Sequence, residues 1–189
     1  MLAAITLAFV FALPVSAQSV LSVGARSLQM LVAEQLFNRG GRWYLLDDGG
    51  CYTYLESPHT HIALDRLVLR AHLSSRLGQR IANGCVGADF ASNITLSGKV
   101  HGSGHLLILE DIRIDRVDDE AARSALDFAL QMNPQFLPRS ANIDVSEFVS
   151  KNVIAVGGSS ARLEEFRIAS VTTRPDSIAI YFELSLSMP

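Results

Sequence analysis

Histidine is the residue type in this chain best suited to metal binding. His59 and His61 alternate with one threonine, so on a β-strand both imidazoles would lie on one face. His101 and His105 bracket a glycine turn. Zinc requires three or four ligands held together, and no third ligand is fixed near either pair. We therefore expect exposed polar histidines, and no metal or other cofactor.

Serine could supply a nucleophile only at Ser103, which lies between His101 and His105 in the chain. A nucleophile elbow needs the spacing Gly-x-Ser-x-Gly, and Gly102-Ser103-Gly104 lacks it. The glycine-rich stretches also match neither phosphate-loop nor dinucleotide-binding patterns. We therefore expect no catalytic residues and no enzyme, with a small secreted hydrolase built on Ser103 as the second alternative.

Acidic residues are concentrated between two predicted elements. Their spacing matches no calcium loop, which places oxygen ligands at regular offsets around a glycine. Negative charge is favourable at a helix N-terminus, so some of them are predicted to cap a helix and the others to lie on the surface. The group comprises Glu110, Asp111, Asp115, Asp118, Asp119 and Glu120.

The first seventeen residues, Met1 to Ala17, carry no charged side chain and end in small residues, Val15-Ser16-Ala17. A membrane-spanning helix needs about 20 apolar residues, so this run is typical of a secretory signal peptide cleaved near Ala17. We therefore expect a periplasmic or secreted mature chain without a transmembrane span, and a single domain over 18–189.

Two cysteines, Cys51 and Cys85, would stand in a compartment that oxidises thiols. With only two, the pairing is forced if a disulfide forms. The closed loop of about 35 residues corresponds to roughly 3–4 kcal/mol of chain entropy. A structural disulfide is predicted, since a metal or redox pair needs closer spacing and activating neighbours.

The composition favours a well-filled core or an apolar surface kept for a ligand. Hydrophobic residues make up 49% of the 189 residues and charged residues 19%, with a net charge of −3. A single core at this length could bury about 70% of the surface of the unfolded chain. Nucleic acid is excluded as a partner because it requires dense clusters of Lys and Arg.

The spacing of apolar residues changes along the chain and indicates which secondary-structure elements would position these residues. Apolar residues at helical spacing predict a helix over Leu21–Phe37 that is covered on most sides. Alternating residues predict antiparallel strands through 62–114, with one-residue slips between Leu64 and Leu67 and at Glu110-Asp111. Such slips are typical of β-bulges and predict a strongly curled sheet. A second helix over Glu120 to about Met132, capped by Asp118 or Asp119, and a hairpin over 163–186 complete an α+β fold.

This order of elements resembles the tubular lipid-binding (BPI-like) superfamily, and within it the small bacterial periplasmic YceB-like branch. The resemblance covers roughly Val20 to Met188. It implies a long apolar N-terminal helix wrapped by a curled antiparallel sheet, with a tunnel for acyl chains between them. Members of that branch often carry a lipid-attachment cysteine, and none stands near Ala17, so shuttling fits better than tethering. The stretches of sequence that carry the resemblance are Asp65–Leu69 with Ala71–Leu73, Ile94–Gly98, and Phe166–Ile168 with Asp176–Ile180.

An apolar tunnel would be lined by the apolar face of the curled sheet and by the N-terminal helix. The expected ligand is a lipid or another hydrophobic small molecule, because each buried methylene gains about 0.8 kcal/mol. The same residues could instead pack on one another as a filled core. The protein would then be a non-enzymatic envelope assembly protein that binds a protein partner through a sheet edge or through the segment Gln135–Ala161. The candidate lining residues are Leu28, Leu31, Val32, Leu36, Leu67, Leu69, Leu73, Ile94, Leu96, Leu107, Leu109, Ile112, Ile114, Phe166, Ile168, Ile180, Phe182 and Leu184.

Overall fold

A computed structural model describes residues 19–48, 50–82, 84–150 and 162–187. The predicted signal peptide lies outside the described residues. Residues 146–150 are helical, with Ser146 N donating a 2.8 Å hydrogen bond to Asp144 Oδ1. The other elements are β1 (Ser19–Gly24), α1 (Ala25–Leu36), β2 (Arg42–Asp48), β3 (Cys51–Ala63), β4 (Arg66–Ile81), β5 (Gly84–Ser103), β6 (Leu106–Val117), α2 (Glu120–Met132), β7 (Ser140–Asp144), β8 (Arg162–Arg174) and β9 (Ser177–Ser187).

The strands form two antiparallel sheets. The larger sheet has the order β2-β3-β4-β5-β6-β7 and is strongly curled, and the smaller has the order β1-β9-β8. The curled antiparallel sheet and the C-terminal hairpin β8–β9 confirm two sequence predictions. The sheets touch at Gly102, where a Cβ atom would lie 2.2 Å from Ile168 Cγ2, so only glycine lets β8 lie this close to β5.

The curled sheet contains several irregularities in its strand pairing, which are features that bend and twist strands. The predicted bulge at Glu110-Asp111 is confirmed, because the register of β5 and β6 shifts there and Asp111 adopts a φ of 52°. The other predicted bulge is wrong. Ala63 pairs with Arg66 across a two-residue turn that contains Leu64, which has a φ of 56°. Across a two-residue turn, paired residues are separated by an odd number of positions. The apolar residues of the second strand therefore fall out of step with those of the first, and in the sequence this looks the same as the one-residue slip of a bulge.

The predicted helix over Leu21–Phe37 is wrong at its beginning. Residues Ser19–Gly24 form β1, in which Leu21 pairs with Ile180 of β9. α1 begins only at Ala25, whose N–H donates to the carbonyl of Asp176 at 3.1 Å. Most of α1 is at least partly covered, as predicted, and its exposed residues Arg26, Met30 and Glu34 form one stripe at a spacing of four. The N-terminal helix is therefore shorter than expected and is exposed along one side.

One face of α1 fills the concave side of the larger sheet. Leu28, Leu31 and Val32 are buried there in the common core. The side chain of Gln35 joins the helix to the edge strand β7, because its Oε1 accepts a 2.6 Å hydrogen bond from Asp144 N and its Nε2 donates to the Asp144 carbonyl. These bonds satisfy backbone groups that an edge strand otherwise leaves unpaired.

The second helix has the predicted bounds, Glu120–Met132. Asp119 caps it, with Oδ1 accepting a 2.8 Å hydrogen bond from Ala122 N. Ala122 and Leu126 are the buried face of α2, which rests on the sheet. Its two flanks remain available to form surface grooves.

Candidate functional site

The predicted lining residues come together in the core of the protein. Most are buried and belong to one hydrophobic cluster, while Leu36, Ile114 and Phe166 are partly buried at its border. The side chain of Leu184 lies outside the described part of the chain. That the set encloses an acyl chain stays a prediction. The buried members are Leu28, Leu31, Val32, Leu67, Leu69, Leu73, Ile94, Leu96, Leu107, Leu109, Ile112, Ile168, Ile180 and Phe182.

A strongly apolar groove lies elsewhere, between one flank of α2 and the sheet, and we call it the α2 groove. Its volume is about 450 Å³. On the sheet side, Leu77 and Phe90 point to the same face as the core residues of their strands, because they alternate with them at a period of two. Asn133 is the one polar side chain among the lining residues, which are Leu46, Leu77, Gly78, Ala88, Phe90, Ala125, Phe128, Ala129, Met132, Asn133 and Phe136.

Two large apolar side chains form an exposed lip on this groove. Phe128 is 65% exposed and Met132 is 73% exposed. They stand one helical turn apart, beside the small residues Ala125 and Ala129. Sequence reasoning missed this groove, although the spacing of Phe128 and Met132 beside small residues is a signal that could have indicated it. Exposed apolar residues that border a concavity indicate a binding site.

The disulfide and a pair of glycines shape the sheet wall of the α2 groove. The bond between Cys51 and Cys85 is formed, which confirms the predicted pairing. Gly78 and Gly87 face each other across β4 and β5, and a Cβ atom on Gly87 would lie 1.9 Å from the carbonyl oxygen of Leu77. Only glycine permits this close approach. The disulfide ties the beginning of β3 to the hairpin tip just beyond the glycine pair.

Charged side chains nearby lie on the opposite face of these strands. Arg76 donates from Nε to Asp89 Oδ1 at 2.6 Å, and this hydrogen bond lowers the pKa of the Asp89 carboxyl. The guanidinium of Arg42 lies 4.3 Å from the ring centroid of Tyr54, which also stacks on Tyr52. The α2 groove itself is therefore apolar, while the convex face is polar.

The histidines and Ser103 are not assembled into a site. His59 and His61 are both exposed. His101 Nε2 lies 3.5 Å from a Glu110 carboxylate oxygen, and His105 Nε2 lies 3.7 Å from one of Asp144. Within the described ranges, no hydrogen bond joins the Ser103 hydroxyl to either histidine, and no three His, Cys, Asp or Glu residues are placed to hold a metal ion.

The acidic group is distributed over ion pairs and a helix cap. Arg66 donates from Nη1 to Asp111 Oδ2 at 2.9 Å, and this contact lowers the pKa of the Asp111 carboxyl. Asp115 pairs with Arg113 at 2.9 Å, and Asp118 pairs with Arg116 at 2.8 Å. Together with the Asp119 cap, these contacts confirm the prediction of surface and capping roles for these four aspartates.

No protein-family model matches the chain, and no curated protein is significantly similar to it. None of the helices within the described ranges is long and apolar enough to cross a membrane.

Proposed function

We propose that this protein is an exported, non-enzymatic carrier that binds the acyl chain of a lipid, or another apolar molecule, in the α2 groove. The observation that carries the proposal is the exposed lip of Phe128 and Met132 on a groove with almost wholly apolar walls. A ligand lying there would cover both side chains. The volume of about 450 Å³ falls within the range of small-molecule sites.

The affinity follows from the apolar area that the ligand buries. About ten methylene groups would gain about 8 kcal/mol on leaving water. Association costs and the open mouth of the groove reduce that gain, which favours dissociation constants in the micromolar range or weaker. Such affinities suit a carrier that takes up and releases its ligand.

Two features support export. Residues 1–17 have the pattern of a secretory signal, and the Cys51–Cys85 disulfide is typical of proteins that fold in an oxidising compartment. The curled antiparallel sheet agrees with the resemblance to tubular lipid-binding proteins at the level of architecture. Membership of that superfamily, the periplasmic location and the bound lipid belong to the proposal.

The test begins with native mass spectrometry of protein purified from its own cell envelope, followed by organic extraction. An adduct of lipid mass at one per chain is the expected result. Binding of dodecanol to the purified protein then locates the site. Ala129→Arg places a long charged side chain in the groove and should abolish binding, whereas Ser124→Arg makes a similar change on an exposed residue of the same helix outside the groove.

A protein partner is the second candidate, because Phe128 and Met132 also form the exposed apolar patch that an envelope assembly protein would use. The same experiments separate the two functions. A clean apo mass that does not change with phospholipids, fatty acids or dodecanol would overturn the carrier proposal. Photo-crosslinking from position 128 in the envelope would then capture the partner.

A further inference from the structure

A second groove lies on the opposite flank of α2, against β6 and the segment that leads to β7. We call it the arginine groove, and its volume is about 350 Å³. Its floor is apolar, and its rim carries three arginines and one aspartate. The residues that line it are Ile112, Ile114, Val117, Leu126, Leu130, Pro134 and Leu137, with Arg113, Arg123, Asp127 and Arg139.

The rim of the groove is rich in arginine although the chain has a net charge of −3. Arg113 is neutralised by Asp115, with Nε 2.9 Å from Oδ1. Arg123 on α2 and Arg139 on the facing segment are exposed, and neither forms an ion pair with any residue that the structure describes. Asp127 follows Arg123 by one helical turn without pairing to it. Among the charged residues that line the groove, the three guanidinium groups outnumber the one carboxylate, that of Asp127, while Glu110 and Asp111 share an adjoining concavity with Arg139.

We propose that the arginine groove binds a fatty acid, with its carboxylate at Arg123 and Arg139 and its chain along the apolar floor. Guanidinium groups bind carboxylates through paired hydrogen bonds, and here they approach from two opposing walls. The carboxylates of Asp127, Glu110 and Asp111 share concavities with these arginines, which favours a head group with one negative charge over a phosphate monoester, which carries up to two. The volume lies at the small end of the range of ligand sites and suits one chain rather than two.

This site differs from the α2 groove in the class of ligand that it takes. The α2 groove has no charged side chain among its lining residues and gives no preference for an acid over an alcohol. The arginine groove requires both the charge and the chain. Dodecanoate, dodecanol and acetate therefore separate the two sites, since dodecanol lacks the charge and acetate lacks the chain.

The experiment is a titration below the micellar concentration in which the methyl NMR signals of Ile114 and Leu130 report the affinity at the arginine groove, while calorimetry reports dodecanol binding. We expect dodecanoate to shift both methyl groups and acetate to shift neither. The double variant Arg123→Gln/Arg139→Gln should weaken dodecanoate binding about tenfold or more, because two charge-assisted hydrogen bonds are lost. Dodecanol binding should not change. Arg174→Gln removes the same charge from the exposed end of β8 and serves as the control.

The outcomes keep this proposal apart from the carrier function. Ala129→Arg should abolish dodecanol binding and leave the methyl shifts with dodecanoate intact, so failure of either site is seen separately. Unchanged dodecanoate affinity in the double variant, or methyl shifts that appear equally with dodecanol, would overturn the inference. Tighter binding of dodecyl phosphate than of dodecanoate would overturn the assignment to a carboxylate.

Discussion

Removing the disulfide by Cys51→Ala/Cys85→Ala should open the sheet wall of the α2 groove before it unfolds the core. The bond links the beginning of β3 to the tip of the β4–β5 hairpin, beyond the close approach of Gly78 and Gly87. The buried core cluster, among the residues that the structure describes, includes none of residues 78–88. The lining residues Gly78 and Ala88, however, belong to the segment that the bond holds in place.

The size of the effect can be estimated from chain entropy. The cysteines are 34 residues apart in sequence. Closing a loop of that length lowers the entropy of the unfolded chain by an amount worth about 4 kcal/mol at 25 °C. A domain is typically stable by about 5–15 kcal/mol, so the variant should remain folded with a much smaller margin.

Urea unfolding measures the global loss, and hydrogen exchange of the amides over 77–88 measures the local opening. We expect a lower free energy of unfolding, faster exchange confined to the hairpin tip, and weaker binding of dodecanol. Two results would refute the reasoning. One is a loss of stability below about 1 kcal/mol, which would mean that the bond constrains little. The other is faster exchange spread evenly over the core, which would mean that the tip is not a separate unit.

Two further predictions concern the contact between the sheets and an ion pair. Gly102→Ala should lower the free energy of unfolding by about 1–3 kcal/mol in urea titrations, because the new Cβ would collide with Ile168. Gly24→Ala is the control, since a Cβ there meets open space and should change the stability little. Equal effects of the two substitutions would contradict this prediction. The pKa of Asp111 is lowered in the folded state by Arg66, so its contribution to stability is present above its unfolded pKa of about 3.9 and is lost as the pH falls below that. Asp111→Asn keeps a residue type that tolerates the positive φ, so the backbone is not the cause of any loss of stability. The difference in free energy of unfolding between the variant and the parent should shrink from pH 5 to pH 2, because the parent loses the ion pair as Asp111 is protonated. A difference that stays constant would exclude the ion pair as the cause.

The sequence predicted the elements whose signals are local. Strands such as β4 and β9 alternate along their own length, and α2 carries its cap at Asp119 and its stop at Asn133-Pro134. The disulfide followed from the presence of only two cysteines. These features could be predicted because each depends on residues close in the chain or on a forced choice.

The features that the sequence did not predict depend on distant partners. Val20, Leu21 and Val23 fit a helix as well as a strand, and only the pairing with β9, some 160 residues away, selects β1. The turn at Leu64 looked like a bulge because both leave the same one-residue slip. The α2 groove requires Leu77 and Phe90 to line one concavity with residues of α2, which lie some 35 or more positions further along the chain.

The position of the α2 groove outside the core bears on how a ligand would act on stability. The residues expected to surround a tunnel pack with α1 and both sheets into one core, so folding draws on their burial without a ligand. A ligand in the α2 groove would add only the linkage term, about 2.7 kcal/mol at a hundredfold excess over its dissociation constant. A ligand enclosed by the core residues would instead be part of the core, and the apo protein would lose the contacts of every lining side chain. Exhaustive delipidation should therefore leave the methyl NMR spectrum of the core unchanged if the ligand lies beside α2, and should broaden it if the ligand lies between helix and sheets.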